Sequence, residues 1–264
     1  MSLCRVMAFP AGSVPFSEAS RIVTFLTPQG RLSALVRGVR RARSALRGVD
    51  ILVEGELVAY QKDPEKLAVV REFAVRRYFP RLRETAIGLA AGSYALEVGV
   101  RFSIENDPQP RLYDHVAAAL AVMDEALGQP RGDHRCLEIL RVFELLALAA
   151  AGFAPQLDAC RSCGRAAMKS AHLDAENGCV TCPSPLCCQR RPGRDLVLSH
   201  GTLAAMRGTL SLGGAALRSV RLDTATRRQW EHATRALIEA HLQAELRSRE
   251  VLRSIAAGLL GEEA

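Results

Sequence analysis

The chain has 264 residues, of which 48% are hydrophobic and 24% are charged, and its formal net charge at pH 7 is +7. This length accommodates one large domain or two to three small ones, and the composition is that of an ordinary globular protein rather than a disordered or fibrous one. The most apolar segment, Val142 to Phe153, contains Glu144 and is too short to cross a bilayer, so no membrane span is predicted. The first residues make a poor secretory signal, and we expect a cytoplasmic protein.

The positive charge is concentrated in the first third of the chain. Residues 1–83 contain 15 Lys and Arg against 7 Asp and Glu, a balance of +8, whereas the remaining residues contain 20 against 21, a balance of −1. An asymmetry of this kind bears on binding partners rather than on fold, and its usual partner is a polyanion. We therefore expect the amino-terminal third to bind nucleic acid.

In chain order, the apolar run Leu3 to Phe9 predicts a first strand, and Pro10 to Glu18 predicts a loop. The runs Arg21 to Thr27 and Arg31 to Arg37 flank Pro28-Gln29-Gly30, a turn sequence that predicts a β-hairpin. Alternating apolar residues predict two more strands before residue 74. Five short, hairpin-rich strands favour an OB-like barrel, although an SH3-like barrel or a small open sheet shares this pattern.

The second strand of the hairpin and the loop after it are rich in arginine and contain no acid before Asp50. Because the planar guanidinium group donates a fork of hydrogen bonds to phosphate, we predict that six arginines contact nucleic acid: Arg31, Arg37, Arg40, Arg41, Arg43 and Arg47. A weaker second group on the same domain comprises Lys62, Lys66, Arg71, Arg76 and Arg77. The alternative interpretation is a solvated, charged sheet edge that discourages sheet-to-sheet pairing.

From about Arg83 the apolar residues recur at helical spacing. Helices are predicted from Ile87 to Phe102, Leu112 to Leu127, Asp133 to Gly152, Gly201 to Leu210, and from Asp223 onward through Leu246. The last of these contains Trp230 in phase with its apolar stripe, so we predict that Trp230 is a core residue. Phe25, Tyr60 and Tyr78 could stack on bases, but their spacing favours the core.

Six of the eight cysteines lie between Cys160 and Cys188, a clustering that favours metal binding in a reducing compartment. Cys160 and Cys163 form one CxxC pair, and Cys179 and Cys182 form a second, after which Cys187 follows closely. Four thiolates would hold a structural Zn²⁺ with no open coordination position. The spacing favours Cys179 with Cys182 but does not fix which cysteines of the second group bind.

Two alternatives to a structural zinc site remain open. The cysteines could be buried or redox-active thiols without metal. Alternatively, His172 could replace one thiolate, with Glu176 close in sequence, to give a hydrolytic zinc site. The HExxH, zinc-deaminase, P-loop and GxSxG motifs are absent from the sequence, so no catalytic residue is assigned from a motif.

Several separated segments can be compared with known families: FLTPQGRLSALVRGVRR in the hairpin, FPRLRE and YALEV near the first helix, LRVFELLALAAAGFAPQLDACRSCG at the first cysteine pair, and HLQAELRSREVL near the end. In this order they resemble the RecO family of bacterial recombinational DNA repair proteins. The resemblance implies a multidomain α+β protein. Residues 1–82 would form an OB-fold DNA-binding domain, residues 83–156 and 196–264 a mainly helical domain, and residues 157–195 a zinc-ribbon-like insert.

The same resemblance implies a function. Such a protein binds single- and double-stranded DNA, anneals complementary strands, and acts with RecR, and often RecF, to load RecA onto DNA coated by single-strand-binding protein (SSB), whose C-terminal tail it contacts. It acts on the nucleoid in the cytoplasm and has no catalytic centre. The alternative function is that of an OB and zinc-ribbon adaptor in transcription or translation.

The resemblance also bears on the fourth zinc ligand. In this family the second cysteine pair commonly occurs in the sequence Gly-Gly-Val-Leu-Cys-Pro-x-Cys. Placed beside residues 178–184, this pattern makes Cys182 the third ligand and, across a two-residue insertion, Cys187 the fourth. Cys179 and Cys187 therefore compete for one position.

Overall fold

The structure is a computed structural model that describes residues 2–37, 49–62, 67–166, 168–184, 187, 196–242 and 245–260. Five residues of the predicted basic groups, namely Arg40, Arg41, Arg43, Arg47 and Lys66, lie outside these ranges. The chain forms two compact units. One comprises residues 1–136 with 246–264, and the other comprises residues 137–245.

The first unit begins with five strands: β1 (Ser2–Ser17), β2 (Ser20–Thr27), β3 (Gly30–Arg37), β4 (Val53–Gln61) and β5 (Ala68–Tyr78). Their pairing runs β1-β2-β3-β5-β4 and returns from β4 to β1. All pairs are antiparallel except β3 with β5, a parallel link through Ala34↔Ala68 and Leu35↔Val69. This five-stranded, weakly closed barrel is the OB-fold predicted from the sequence.

The helices of the described residues follow the barrel. They are α1 (Pro80–Glu84), α2 (Ala86–Phe102), α3 (Pro110–Leu127), α4 (Gly132–Ala150), α5 (His200–Leu212), α6 (Ala216–Ser219), α7 (Thr224–Leu242) and α8 (Arg247–Leu260), with a 3₁₀ turn at Gly213–Ala215. The predicted α+β class is therefore confirmed. Across the part of the chain that is described, no helix combines the length and the apolar character needed to cross a bilayer.

Alternation along the strands separates the barrel interior from its outer surface. Val23 and Phe25 of β2 and Val36 of β3 point inward, where Phe25 packs against Phe73 with ring centroids 6.1 Å apart. On the outer surface, the fully buried Phe9 lies 5.3 Å from the ring of Tyr113 in α3. The barrel is therefore filled from within and covered on one side by its helices.

Strand β1 is much longer than predicted. It pairs with β4 from Ser2 to Ala8, continues past Pro10, and pairs with β2 as far as Ser17. The predicted loop over residues 10–18 was therefore wrong. Register shifts at Pro10/Gly12 and Pro15/Ser17 explain how the strand continues, because a bulge accommodates a proline that cannot donate a ladder hydrogen bond.

The turn between β2 and β3 is not a free tip. The Gln109 N–H donates to Pro28 O, and the Arg31 N–H donates to Ile104 O, both at 3.0 Å. Gly30 has φ +99°, and a Cβ at this position would lie 2.4 Å from Ile104 O, so glycine is required. The predicted hairpin exists, and its turn is fixed against the segment between α2 and α3.

The predicted long carboxy-terminal helix consists of two helices, α7 and α8, and Glu245 and Leu246 before α8 are not helical. Helix α8 packs on α2 in the first unit. Its first N–H groups, from Arg247 and Ser248, donate to the two carboxylate oxygens of Glu97 at 3.1 and 2.9 Å. Glu97 therefore supplies the acceptors that the start of α8 lacks.

Replacing Glu97 by Ala is expected to destabilise the protein by about 0.5–2 kcal/mol, because the α8 N–H groups lose their acceptor. Chemical denaturation followed by circular dichroism measures this change. Glu84→Ala is the control, since Glu84 is exposed and should change stability by less than about 0.5 kcal/mol. Equal unfolding free energies for the two variants would contradict the capping role of Glu97.

In the second unit, a three-stranded antiparallel sheet has the order β7-β6-β8, with β6 (Ser170–Asp174), β7 (Cys179–Thr181) and β8 (Leu196–Ser199). The helical part is packed around Trp230, which is fully buried, as the sequence predicted. Beside it, the buried Glu144 is paired with Arg141 at 3.1 Å and accepts a hydrogen bond from Thr234 Oγ1 at 2.5 Å.

Candidate nucleic-acid interface and thiol cluster

The two described arginines of the predicted phosphate-binding group lie at opposite ends of β3. Arg31 pairs with Leu26 beside the fixed turn, whereas Arg37 pairs with Ser20 at the far end. At about 3.3 Å per residue, their Cα atoms are roughly 20 Å apart. Both are at odd-numbered positions of β3, which alternate with the inward-facing Ala34 and Val36 and so face outward. They therefore bracket its outer surface and do not form one compact cluster.

These two arginines are not neutralised by neighbouring acids. Neither Arg31 nor Arg37 has an ion pair with a carboxylate of the described chain, and Arg37 is exposed. A guanidinium group without a carboxylate partner keeps its charge and its donors available for phosphate. This distinguishes the two residues from Arg5, Arg76 and Arg77, which pair with carboxylates of β4.

The second group of predicted cations is partly paired within the molecule. Glu56 of β4 bridges Arg5 at 3.1 Å and Arg76 at 2.5 Å, and hydrogen bonding to Arg76 lowers the pKa of this carboxyl group. Arg77 lies 3.4 Å from Glu54, which is buried. These pairs offset the cationic charge on β1 and β5, so this surface should attract phosphate less strongly than the outer surface of β3.

The exposed aromatic residues differ from the prediction. Phe25 is in the core as predicted, and Tyr60 is half-buried under the guanidinium group of Arg71, which lies 5.4 Å from the ring centroid. Tyr78 is 63% exposed, because it lies at the end of β5, where the last three residues of the strand are exposed; its core assignment was wrong. Phe16 is 60% exposed near the β1–β2 turn, in the segment that the sequence assigned to a loop.

Beneath the β1–β2 hairpin lies a cavity of about 270 Å³. One wall is the hairpin base between Pro10 and Ser13, and the opposite wall is formed by residues 49–51. Arg21 lines it and donates from Nη2 to Val49 O at 2.8 Å. The buried Nε–H of Arg21 has no acceptor within the described residues, so this guanidinium group has an unused donor.

Four cysteine sulfurs meet in the second unit. The Sγ atoms of Cys160, Cys163, Cys182 and Cys187 all lie within 4.8 Å of one another. The Cys160–Cys187 distance is 3.6 Å and the Cys163–Cys182 distance is 3.9 Å. In a tetrahedral site with Zn–S bonds of about 2.3 Å, neighbouring sulfurs are about 3.8 Å apart. The four thiols therefore have the spacing needed to hold a metal ion.

The local backbone structure positions the thiols of the first cysteine pair, Cys160 and Cys163. A tight turn carries the chain from Cys160 to Gly164, whose N–H donates to Cys160 O at 2.9 Å and whose φ is +72°. The Cys182 N–H donates to Cys160 Sγ at 3.2 Å. Burial raises the pKa of the Cys160 thiol, but hydrogen bonds from the N–H groups of Cys182 and Cys163 outweigh burial and lower it to about 6. These hydrogen bonds therefore favour the thiolate of Cys160, the form that binds metal.

Cys179 is not brought into this group. It lies on β7 opposite Asp174, and its Sγ is 3.8 Å from Arg161 Nη1. Because β7 is extended, three residues along it span about 10 Å, and Cys179 and Cys182 diverge instead of converging as in a turn. Cys187, the rival for the fourth position, is the residue that joins the group. Neither His172 nor Glu176 belongs to the four-thiol group found among the described residues.

The described residues thus form an α+β protein in which an OB-type barrel with a cationic outer strand is followed by helices and a four-thiol group, a combination typical of nucleic-acid-binding proteins. The sequence profile described as "Recombination protein O N terminal" matches residues 1–79, and the one described as "Recombination protein O C terminal" matches residues 83–250. The chain therefore belongs to the RecO family, which assigns it a role in recombinational DNA repair.

Individual relatives agree with this assignment. The chain is 33% identical to DNA repair protein RecO of Anaeromyxobacter dehalogenans (strain 2CP-C) over 248 residues, which cover 92% of this chain and 93% of the relative. It is 30% identical to DNA repair protein RecO of Synechococcus sp. (strain JA-2-3B'a(2-13)), with 95% and 89% of the two chains covered. The similarity thus spans both the barrel and the helical part of the chain.

Proposed function

We propose that this chain is a recombination mediator without catalytic activity that binds single- and double-stranded DNA and anneals complementary strands. Together with RecR, and with RecF, it helps to load RecA onto single strands coated by SSB, whose C-terminal tail it contacts. These steps take place in the cytoplasm, on the nucleoid. The observation that carries the proposal is the outer surface of β3, where Arg31 and Arg37 have no carboxylate partner within the described residues.

Annealing follows from the same surface. Two complementary strands repel each other through their phosphates, and a cationic surface that screens this repulsion lets them approach. Contacts to phosphate carry no sequence information and leave the base edges free for pairing. The arginine-rich sequence that continues from Arg37 to Arg47 adds to the charge available for this step.

We further propose that Cys160, Cys163, Cys182 and Cys187 hold one structural Zn²⁺. The ion would cross-link the turn after Cys160 to the chain after β7, a segment whose small sheet offers little core of its own. With all four positions taken by thiolates, the site leaves no coordination position for a reacting water. The group therefore supports a stabilising role and not a hydrolytic one.

An annealing assay tests the proposed function. Complementary strands are precoated with SSB, and duplex formation is followed by fluorescence with this protein, with and without RecR. The proposal predicts annealing by this protein on coated strands, and transfer of RecA onto coated single strands when RecR is also added. If this protein binds folded RNA but does not bind DNA, the result contradicts the proposal and favours the adaptor function.

A further inference from the structure

We infer that the β1–β2 hairpin, which carries Phe16 near its turn, binds single-stranded nucleic acid by stacking a base on this ring. This inference rests on the proposed function, because it assigns a residue and a strand preference to DNA binding. The phosphate contacts predicted from sequence do not distinguish single strands from duplex. A stacking aromatic residue does, because bases in a duplex are already stacked and paired.

The hairpin extends beyond the closed part of the barrel. Strand β1 pairs with β4 only as far as Ala8, and after this point its pairing is with β2. The link that closes the barrel involves Ala34 and Leu35 of β3, so Val36 and Arg37 also lie beyond it. Residues 14–20 of the hairpin therefore stand at the same open end of the barrel as Arg37.

Phe16 is the extra residue of a bulge. Pro15 pairs with Arg21 and Ser17 pairs with Ser20, so Phe16 has no cross-strand partner. A bulge of this kind commonly turns a side chain away from the sheet towards a ligand. The Phe16 residue is 60% exposed, and Val14 is 58% exposed. An exposed aromatic ring of this kind is available to stack on a base.

The positive charge at the same end of the barrel indicates which kind of ligand binds there. Ser17 pairs with Ser20, and Ser20 pairs with Arg37, so two strand spacings of about 4.8 Å each separate the backbone of Arg37 from that of Ser17, the residue after Phe16. A base on Phe16 and its backbone phosphate near Arg37 are compatible with this spacing. Arg21 pairs with Pro15, the residue before Phe16, and it lines the cavity with a buried Nε–H that has no acceptor in the described residues. An aromatic ring flanked by cations fits a single-stranded polyanion with exposed bases better than it fits an apolar protein surface.

The test compares variants by fluorescence anisotropy with labelled oligothymidylate and with a duplex. Phe16→Ala and Phe16→Leu are expected to weaken single-strand binding by about tenfold, within the range for loss of one stacked base. Duplex affinity and the salt dependence should not change, because no phosphate contact is lost. Tyr78→Ala removes another exposed aromatic ring from the same barrel, and it should stay within about twofold of the parent protein.

A second variant reports contact directly. Phe16→Trp should keep single-strand affinity, and its fluorescence should be quenched when oligothymidylate is added. The only natural tryptophan, Trp230, is fully buried and provides a constant background. Thermal unfolding of each variant confirms that the fold is retained.

The outcomes separate this inference from the proposed function. If the parent protein binds both strands and Phe16→Ala binds oligothymidylate equally well, or if Phe16→Trp shows no quenching, the stacking role is wrong and the proposed function stands. If the parent protein binds neither single strands nor duplex, both proposals are wrong. If Phe16→Ala instead abolishes self-association in sedimentation experiments without changing DNA affinity, the hairpin is a contact between copies and the inference is overturned.

Discussion

Replacing Cys187 by Ser is expected to abolish stoichiometric zinc binding, whereas replacing Cys179 by Ser leaves it intact. Cys187 Sγ lies 3.6 Å from Cys160 Sγ within the four-thiol group, and Cys179 lies outside it. Losing one of four thiolates opens the coordination sphere, and binding of structural zinc by such sites is worth about 10–16 kcal/mol. Metal analysis of the purified variants, with thiol titration in the absence and presence of a chelator, measures the effect.

The paired variants make this expectation specific. Both remove one cysteine from the same segment, so general damage to the segment would affect them equally. The Cys187→Ser protein should also lose thermal stability, and a chelator should reproduce this loss in the parent protein. Zinc retained by Cys187→Ser and lost by Cys179→Ser would show that the CxxC pair, and not the observed thiol group, binds the metal.

Replacing Arg37, Arg40, Arg41 and Arg43 together by Gln is expected to flatten the salt dependence of DNA binding. Each lost phosphate contact removes about 0.7–0.9 from the slope of log affinity against log salt, so four contacts would reduce its magnitude by about 3. Affinity at low salt should fall for single strands and duplex alike, because phosphate contacts are common to both. Anisotropy titrations over a range of salt concentrations give the slope.

A matched control removes the same number of charges from β1 and β5. Arg5, Arg71, Arg76 and Arg77 are replaced by Gln, and net charge changes by the same amount. Because Glu56 and Glu54 pair with three of these arginines, the slope should change far less. Equal slopes for the two quadruple variants would mean that total charge, and not the β3 surface, governs binding.

Much of the fold could be predicted from local patterns. Alternation around Pro28-Gln29-Gly30 predicted the β2–β3 hairpin, and helical spacing predicted the buried position of Trp230. These features depend on side chains close in sequence, whose preferences agree with the tertiary structure. The length of β1 could not be predicted in this way, because its prolines indicate a loop unless the strand bulges that accommodate them are known.

The candidate sites were predicted less completely, for physical reasons. Sequence counts cations but does not show which of them face carboxylates, so the pairing of Arg76 with Glu56 could not be foreseen. Spacing identified a thiol cluster but not the extended backbone that keeps Cys179 out of it. Phe16 was missed as a candidate binding residue because it lay in a predicted loop, where an exposed side chain is expected. The available signal was an aromatic residue beside Pro15 in an otherwise polar turn.

The central claim is that the outer surface of β3 and the residues next to it hold the phosphate backbone. Photochemical cross-linking of the full chain to single-stranded DNA at low salt, with the sites mapped by mass spectrometry, tests this most directly. We predict cross-links in β3, in the arginine-rich segment after Arg37 and in the β1–β2 hairpin. Cross-links confined to residues 137–245, with none in the barrel, would contradict the claim.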